Sequence, residues 1–184
     1  VGRHNKPKDV PDHWVQFKEN VIDIHTQEVF TATREYFFTN PIPFKIGESS
    51  ETPTMDKLFK EWVVKEGLQD ETYVNTLYEI IAYCTVKSQP LQRIIALTGS
   101  GANGKGTFMQ LLTKFIGDNN RCTSELDILS KNNFESSALY KKLICLMSEV
   151  NLDDLKNTKL IKKLSGGDDI RYEFKGNYSS FIVR

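Results

Sequence analysis

The sequence predicts an α/β fold, and three observations carry the prediction. Two apolar runs without alternation, Ile94 to Leu97 and Leu143 to Met147, suit short strands of a parallel sheet covered on both faces. Between them a glycine-rich stretch, Gly99 to Thr107, leads into a helix with Phe108, Leu111, Leu112 and Phe115 on one face and Gly117 at its end. Upstream, two more amphipathic helices are separated by a short glycine-containing turn. The composition agrees with a packed domain: 184 residues, 39% hydrophobic and 26% charged, excludes a disordered or collagen-like chain. No uninterrupted apolar run exceeds five residues, so no membrane helix is expected. The first residues are polar and basic, with no apolar stretch that would read as a signal peptide.

Taken in order, residues 1–50 read as an irregular or strand-rich lead-in. Val15 to Phe17 and Val21 to Ile24 are candidate strands, and Pro41 and Pro43 interrupt anything regular after them. Residues 51–89 form the helical subdomain. Pro53 opens its first helix, in which Met55, Leu58, Phe59, Trp62 and Val63 share a face, and Gly67 stands where a C′ glycine belongs. Asp70 is the candidate N-cap of the second helix, whose stripe is Val74, Leu77, Tyr78, Ile81 and Ala82. Residues 90–184 form the α/β core. It holds the strands Arg93 to Thr98 and Lys142 to Ser148 and a helix from Thr158 to Leu164 stopped by Gly166-Gly167. Last comes a β-hairpin over Ile170 to Val183, turning at Gly176-Asn177.

Charge and cysteine content narrow the setting. Net charge is zero, but residues 1–90 carry −4 and residues 91–184 carry +4. Cys84, Cys122 and Cys145 are an odd number, well separated and in or beside apolar stretches, which points to reduced buried thiols in an intracellular protein. His4, His13 and His25 crowd the N-terminal region without a metal-ligand spacing, so no metal site is expected from them.

The stretch Gly99-Ser100-Gly101-Ala102-Asn103-Gly104-Lys105-Gly106-Thr107 has the composition a phosphate loop requires. Backbone N–H groups can wrap a polyphosphate only where side chains are absent, which the glycines allow. The following helix offers unpaired N–H groups and the positive end of its dipole. Lys105 adds a full charge for the β- and γ-phosphates. The pattern departs from G-x-x-x-x-G-K-[ST] at one place: Gly106 follows the lysine and the hydroxyl comes one residue later, at Thr107. Mg²⁺ is therefore expected on Thr107, on water, or on groups elsewhere. Glu149 follows the second apolar run, where an ATPase needs a carboxylate to polarise the attacking water or hold the metal's waters.

These blocks in this order resemble the superfamily-3 helicases, specifically the helicase half of the phage/plasmid and poxvirus-type primase-helicases. Gly101 to Phe108 is similar to that family's G-x-N-G-K-[SG]-T-F loop. Leu143 to Glu149 is similar to its Walker B strand. Leu160-Ile161-Lys162-Lys163-Leu164-Ser165-Gly166-Gly167-Asp168 resembles its L-x-K-x-L-[TS]-G-G-D block. Tyr36 to Pro43 and the helices with Trp62 and Tyr83 resemble the region before its ATPase.

The resemblance implies an AAA+-like P-loop ATPase that uses ATP and Mg²⁺ and self-associates into a ring, a hexamer, around DNA. Lys105 and Glu149 would be catalytic, and residues 99–107 would bind nucleotide. Thr107 and Glu149 would hold the metal. Lys175, matched to a family lysine in a pore hairpin, would touch the DNA backbone, with Lys163 and Arg171 as further candidates. A primase domain or partner, a viral, phage or plasmid origin, and residence in the host cytoplasm or nucleus are also implied. The family continues into a sensor strand and an arginine finger. The sequence reads Phe181-Ile182-Val183-Arg184 before either, so part of a larger protein is expected.

Two other readings stay open at this level. Adenylate-kinase-like phosphotransferases also use a G-K-G-T loop, but near the N-terminus and followed by an Arg-rich lid; here only Arg121, Arg171 and Arg184 follow. An ATP-dependent DNA-binding or packaging module without unwinding would share the loop and the glutamate.

Overall fold

A computed structural model of the chain describes residues 6–65, 67, 71–88, 91–98, 103–131, 135–147, 162–163, 165–166, 170–173 and 180–183. The chain forms two compact units, one of Val1–Val86 with Ile95–Gly117 and one of Lys87–Ile94 with Asp118–Arg184. The architecture is mixed α/β.

The first unit begins with an antiparallel sheet of three short strands, β1 (Trp14–Gln16), β2 (Asn20–Asp23) and β3 (Val29–Thr31), in that order. Two of these match the candidate strands; β3 carries no period long enough to announce itself. Register is pinned at both ends. Phe17 N–H donates to Asn20 O (2.7 Å) at the β1–β2 turn. At the β2–β3 turn Asp23 Oδ1 accepts from His25 N–H (2.9 Å) and Thr26 N–H (3.2 Å), an Asx-type turn. Trp14 lies opposite Asp23 in the ladder and donates its indole N–H to Asp23 Oδ2 (3.0 Å). Its ring packs edge-on against Phe30 and Tyr36. Val21 and Ile42 are fully buried beneath this layer.

Two helices follow, α1 (Pro53–Lys65) and α2 (Thr72–Tyr83). Proline at the first helical position loses nothing, because that N–H has no intrahelical partner. Asp56 in the first turn complements the dipole and accepts hydrogen bonds from Thr52 Oγ1 and Tyr78 Oη. Gly67, at φ 74°, takes the left-handed turn beyond α1 and donates to Val64 O. The helix α2 starts after Glu71, whose side chain makes no capping bond; Asp70, the expected N-cap, lies outside the described residues. The helix α3 (Lys105–Ile116) packs onto this pair. Phe59, Val63, Val74 and Phe108 form one buried cluster, with Met55, Trp62, Leu77, Tyr78, Ile80, Ile81, Leu97 and Leu111 against it.

The run preceding the glycine loop departs from expectation. Residues 92–98 form no regular structure, and Ile94 and Ile95 are exposed. A strand is stabilised by ladder partners, and no described residue supplies one here. Leu97 instead buries its side chain against the helical cluster.

In the second unit, β4 (Arg121–Thr123) and β5 (Ile144–Leu146) pair in parallel, with Cys122 directly opposite Cys145. The expected second strand is thus present, and its partner is Arg121–Thr123, not the run before the glycine loop. The ladder continues at both ends through Leu143 N–H to Asn120 O (2.7 Å) and Ser124 N–H to Leu146 O (3.1 Å). A short helix, α4 (Leu126–Lys131), buries Leu126 and Leu129. Strands β6 (Ile170–Glu173) and β7 (Ser180–Val183) pair antiparallel, as the hairpin reading requires. Its turn lies outside the described residues. So does most of the expected 158–164 helix; residues 162–163 and 165–166 are helical, so Gly166, one of the expected stop residues, is itself helical. No described helix is long and apolar enough to cross a membrane.

Candidate functional site

Within the glycine-rich stretch the described residues begin at Asn103. Gly104 is the N-cap of α3 in the left-handed conformation, φ 93° and ψ −6°. Two features require glycine there. The backbone region is costly for any residue with a Cβ, and a Cβ would stand 2.5 Å from Cε2 of Trp62, whose indole lies against the glycine. Helix α1 therefore supports the turn into α3 directly. Nothing in the sequence singles Trp62 out from the rest of its apolar stripe; only the packing reveals this role.

From Gly104 the chain enters the helix at once. The first intrahelical bond runs from Phe108 N–H to Gly104 O (2.8 Å). The N–H groups of Lys105, Gly106 and Thr107 precede it and face the N-terminal end of the helix, where the positive end of the dipole also lies. Lys105 is half-buried, and its ammonium donates to Asn103 Oδ1 (2.6 Å). The lysine is thus folded back over the turn, held by the asparagine two residues before it. Gly106 and Thr107 are exposed, and among the described residues nothing lies within 4 Å of where a Cβ on Gly106 would be. Packing against the described residues does not demand that glycine. Successive residues turn by about 100° around a helix, so the Thr107 hydroxyl leaves α3 in a different direction from a hydroxyl at 106.

The helix is fixed from its other face. Phe108, Leu112 and Ile116 are buried, with the Phe108 ring 6.0 Å from Phe59 and 6.5 Å from Trp62, centroid to centroid. At the far end Gly117, φ 85°, closes the helix against Pro43, whose Cγ would be 2.8 Å from a Cβ there. Phe115 stacks on Phe44. An anion-accepting helix start on a rigidly packed helix is what this arrangement can offer chemically: three backbone donors and Lys105 at the start of α3, with no carboxylate among the described residues from Asn103 to Ile116.

Gly99, Ser100, Gly101, Ala102, Glu149 and Lys175 lie outside the described residues. Lys163 is exposed on a helical stretch. Arg171 sits in β6, opposite Ile182. The described structure thus brings together Asn103, Gly104, Lys105, Gly106 and Thr107.

Comparison with known proteins adds two similarities. Residues 97–183 match a family described as "Family of unknown function (DUF5906)". A protein of Acanthamoeba polyphaga mimivirus named "Putative helicase L207/L206" is 27% identical over 124 residues, 62% of this chain and 13% of that protein. The chain therefore corresponds to a small part of that relative's length. The link to helicases is a distant and partial one.

Proposed function

We propose that the chain is the ATP-binding part of an ATP-dependent replicative DNA helicase of a virus or mobile element, built as an AAA+-like P-loop ATPase. The observation that carries it is the start of α3: a left-handed Gly104 leading straight into Lys105, with three backbone donors ahead of the first helical bond. The similarity to a protein named as a helicase supports the same reading.

In this reading residues 99–107 wrap the phosphates, and Lys105 exchanges Asn103 for the β- and γ-phosphate oxygens. Glu149 polarises the attacking water. Mg²⁺, held through Thr107 and Glu149, neutralises charge on the phosphate oxygens. Lys163, Arg171 and Lys175 meet the DNA backbone. The protein works as a ring, a hexamer, with a primase domain or partner.

The test is made on the full-length protein. Lys105→Ala abolishes ATP hydrolysis and weakens ATP binding, because the lysine touches the nucleotide. Glu149→Gln abolishes hydrolysis while binding stays within a few-fold, because the carboxylate handles only water. The parent displaces a strand from forked DNA and both variants do not. Equal loss of nucleotide affinity in both variants overturns the assigned roles. Phosphorylation of a mononucleotide, or DNA-stimulated ATP hydrolysis with no strand displacement, overturns the helicase reading itself.

A further inference from the structure

The sheet in the first unit gathers residues that are remote from the glycine loop in sequence and that nucleotide chemistry does not use. His13 precedes β1 and His25 follows β2. The ladder that sets Trp14 opposite Asp23 extends by one further bond, from Ile24 N–H to His13 O (3.0 Å). Both histidines are thereby carried to the same end of the hairpin. Their imidazoles lie face to face, 4.5 Å between centroids and 8° from parallel. Asp23 stands beside them, with His13 Nε2 3.5 Å from its Oδ2. One donor atom from each of the three residues falls within 4.8 Å of the other two.

We propose that His13, Asp23 and His25 form a binding site for a divalent transition-metal ion, with zinc the best match. Three features of the hairpin point there, independently of the ATPase reading. The first is the donor set. Two imidazoles and one carboxylate are the ligands borderline-soft ions take, and zinc accepts them with a water in the fourth position. The second is spacing. Donors about 2.0–2.2 Å from a tetrahedral ion stand roughly 3.4 Å apart, so closure needs the donors to approach by more than an ångström and the stacked rings to turn until both in-plane nitrogen lone pairs meet the ion, side-chain rotations that leave the ladder in place.

The third feature is the anchoring of Asp23. Its Oδ1 is fixed by two backbone N–H groups, and its Oδ2 receives the Trp14 indole N–H. Each carboxylate oxygen has two lone pairs, so Oδ2 keeps one directed toward His13. This is the outer-shell support that orients a ligating carboxylate. The Asp23 side chain is 15% exposed and that of His13 36% exposed, so an ion reaches the site from solvent.

The competing arrangement is a histidine stack on a structural Asx turn that binds nothing. The two separate cleanly by metal titration of the 184-residue chain. Isothermal titration with Zn²⁺ should find one ion per chain. Co²⁺ at the same site should give the visible absorption of a tetrahedral nitrogen–oxygen sphere, without thiolate charge-transfer bands. Excess Zn²⁺ should raise the melting temperature, since an ion that binds only the folded hairpin stabilises it.

His25→Ala is the decisive variant, because His25 is exposed and its hydrogen bond to Asp23 comes from the backbone. Losing an outer-shell partner costs a metal site about 10–100-fold, so losing this ligand should weaken Zn²⁺ at least that much, with an unchanged far-ultraviolet spectrum. Asp23→Asn should weaken Zn²⁺ as well. Absence of Zn²⁺ binding in the parent, or binding that survives His25→Ala, overturns the proposal, and a thiolate signature with Co²⁺ does so too, by placing the ion on the cysteines.

Discussion

Gly104 and Gly117 bracket α3, and both sit at positive φ with a neighbour where a Cβ would go, Trp62 in one case and Pro43 in the other. Alanine at either position meets the same two penalties, a strained backbone and a contact under 3 Å. Each substitution should lower unfolding free energy by about 1–3 kcal/mol, measured by urea denaturation. They should part company in function. Gly104→Ala also pushes the first turn of α3 off Trp62 and should weaken ATP binding; Gly117→Ala, at the other end, should leave it intact in the folded protein. A matched loss in both variants would trace the effect to unfolding and remove Gly104 from the site.

The thiols differ at the same scale. Burial pushes Cys84 up from 9.0 to about 11. Cys145, opposite Cys122 in the parallel ladder, holds Cys122 below the usual thiol range through their mutual hydrogen bond. The same bond, with burial, pushes Cys145 up. The pair therefore gives up its first proton from Cys122. At pH 8 the Cys84 thiolate fraction is about 100-fold below that of an ordinary thiol, from the two-unit rise. Iodoacetamide labelling followed by peptide mass spectrometry should modify Cys122 first, with Cys84 at least about 100-fold slower than in urea. The sign for stability follows. Because the folded state favours the neutral Cys84 thiol, its contribution is complete below pH 9 and is lost as pH rises through 11. Equal labelling of all three cysteines in the native protein would contradict this order.

At the level of elements, the three longest described helices, α1, α2 and α3, hold the glycine turn in place. Phe59 is fully buried and its ring touches those of Trp62, Tyr78 and Phe108, one from each of α1, α2 and α3. Phe59→Ala should cost about 3–5 kcal/mol and reduce nucleotide affinity, because it loosens the packing that fixes the start of α3. Val64→Ala, on the same helix but 66% exposed, should stay within about 0.5 kcal/mol. Thermal or urea melts compare the two, and similar losses would contradict the packing assigned to α1.

These helices were legible in the sequence for the reason that makes them stable. A buried face repeated over 12 or 13 residues gives several turns of periodicity, with proline at one start and glycine at two ends. Strands of three residues, such as β3 and β4, hold too few positions to show a period. The Ile94 to Leu97 run shows the converse. Its composition is that of a buried strand, but strand geometry depends on a partner's ladder, which composition does not contain. Within the site, the glycines and Lys105 were legible because phosphate chemistry restricts residue type. Trp62 and the His13–Asp23–His25 group were not, because each is assembled by packing or register between residues with no local pattern.

For the whole molecule, the balance of charge decides how it can meet a polyanion. Net charge is zero, so attraction to DNA cannot come from the total; it must come from the half of the chain that carries +4. Lys163, Arg171 and Lys175 belong to that half, and in the helicase reading each neutralises one phosphate. A contact to single-stranded DNA contributes a slope of roughly −0.7 in log K against log salt concentration. The triple variant Lys163→Ala, Arg171→Ala, Lys175→Ala in the full-length protein should therefore flatten the slope by about 2 and weaken binding equally on unrelated sequences, since backbone charge carries no base information. ATP hydrolysis without DNA should be retained, because the start of α3 is untouched, and unwinding should be lost. Lys114→Ala, in the last turn of α3, is a control for charge lost elsewhere: it removes one positive charge where the triple variant removes three, and an unchanged slope is expected. A parental salt slope in the triple variant would take all three residues out of the DNA path, and an equal flattening per charge removed in the control would show that the chain's overall charge, not these contacts, sets the salt dependence.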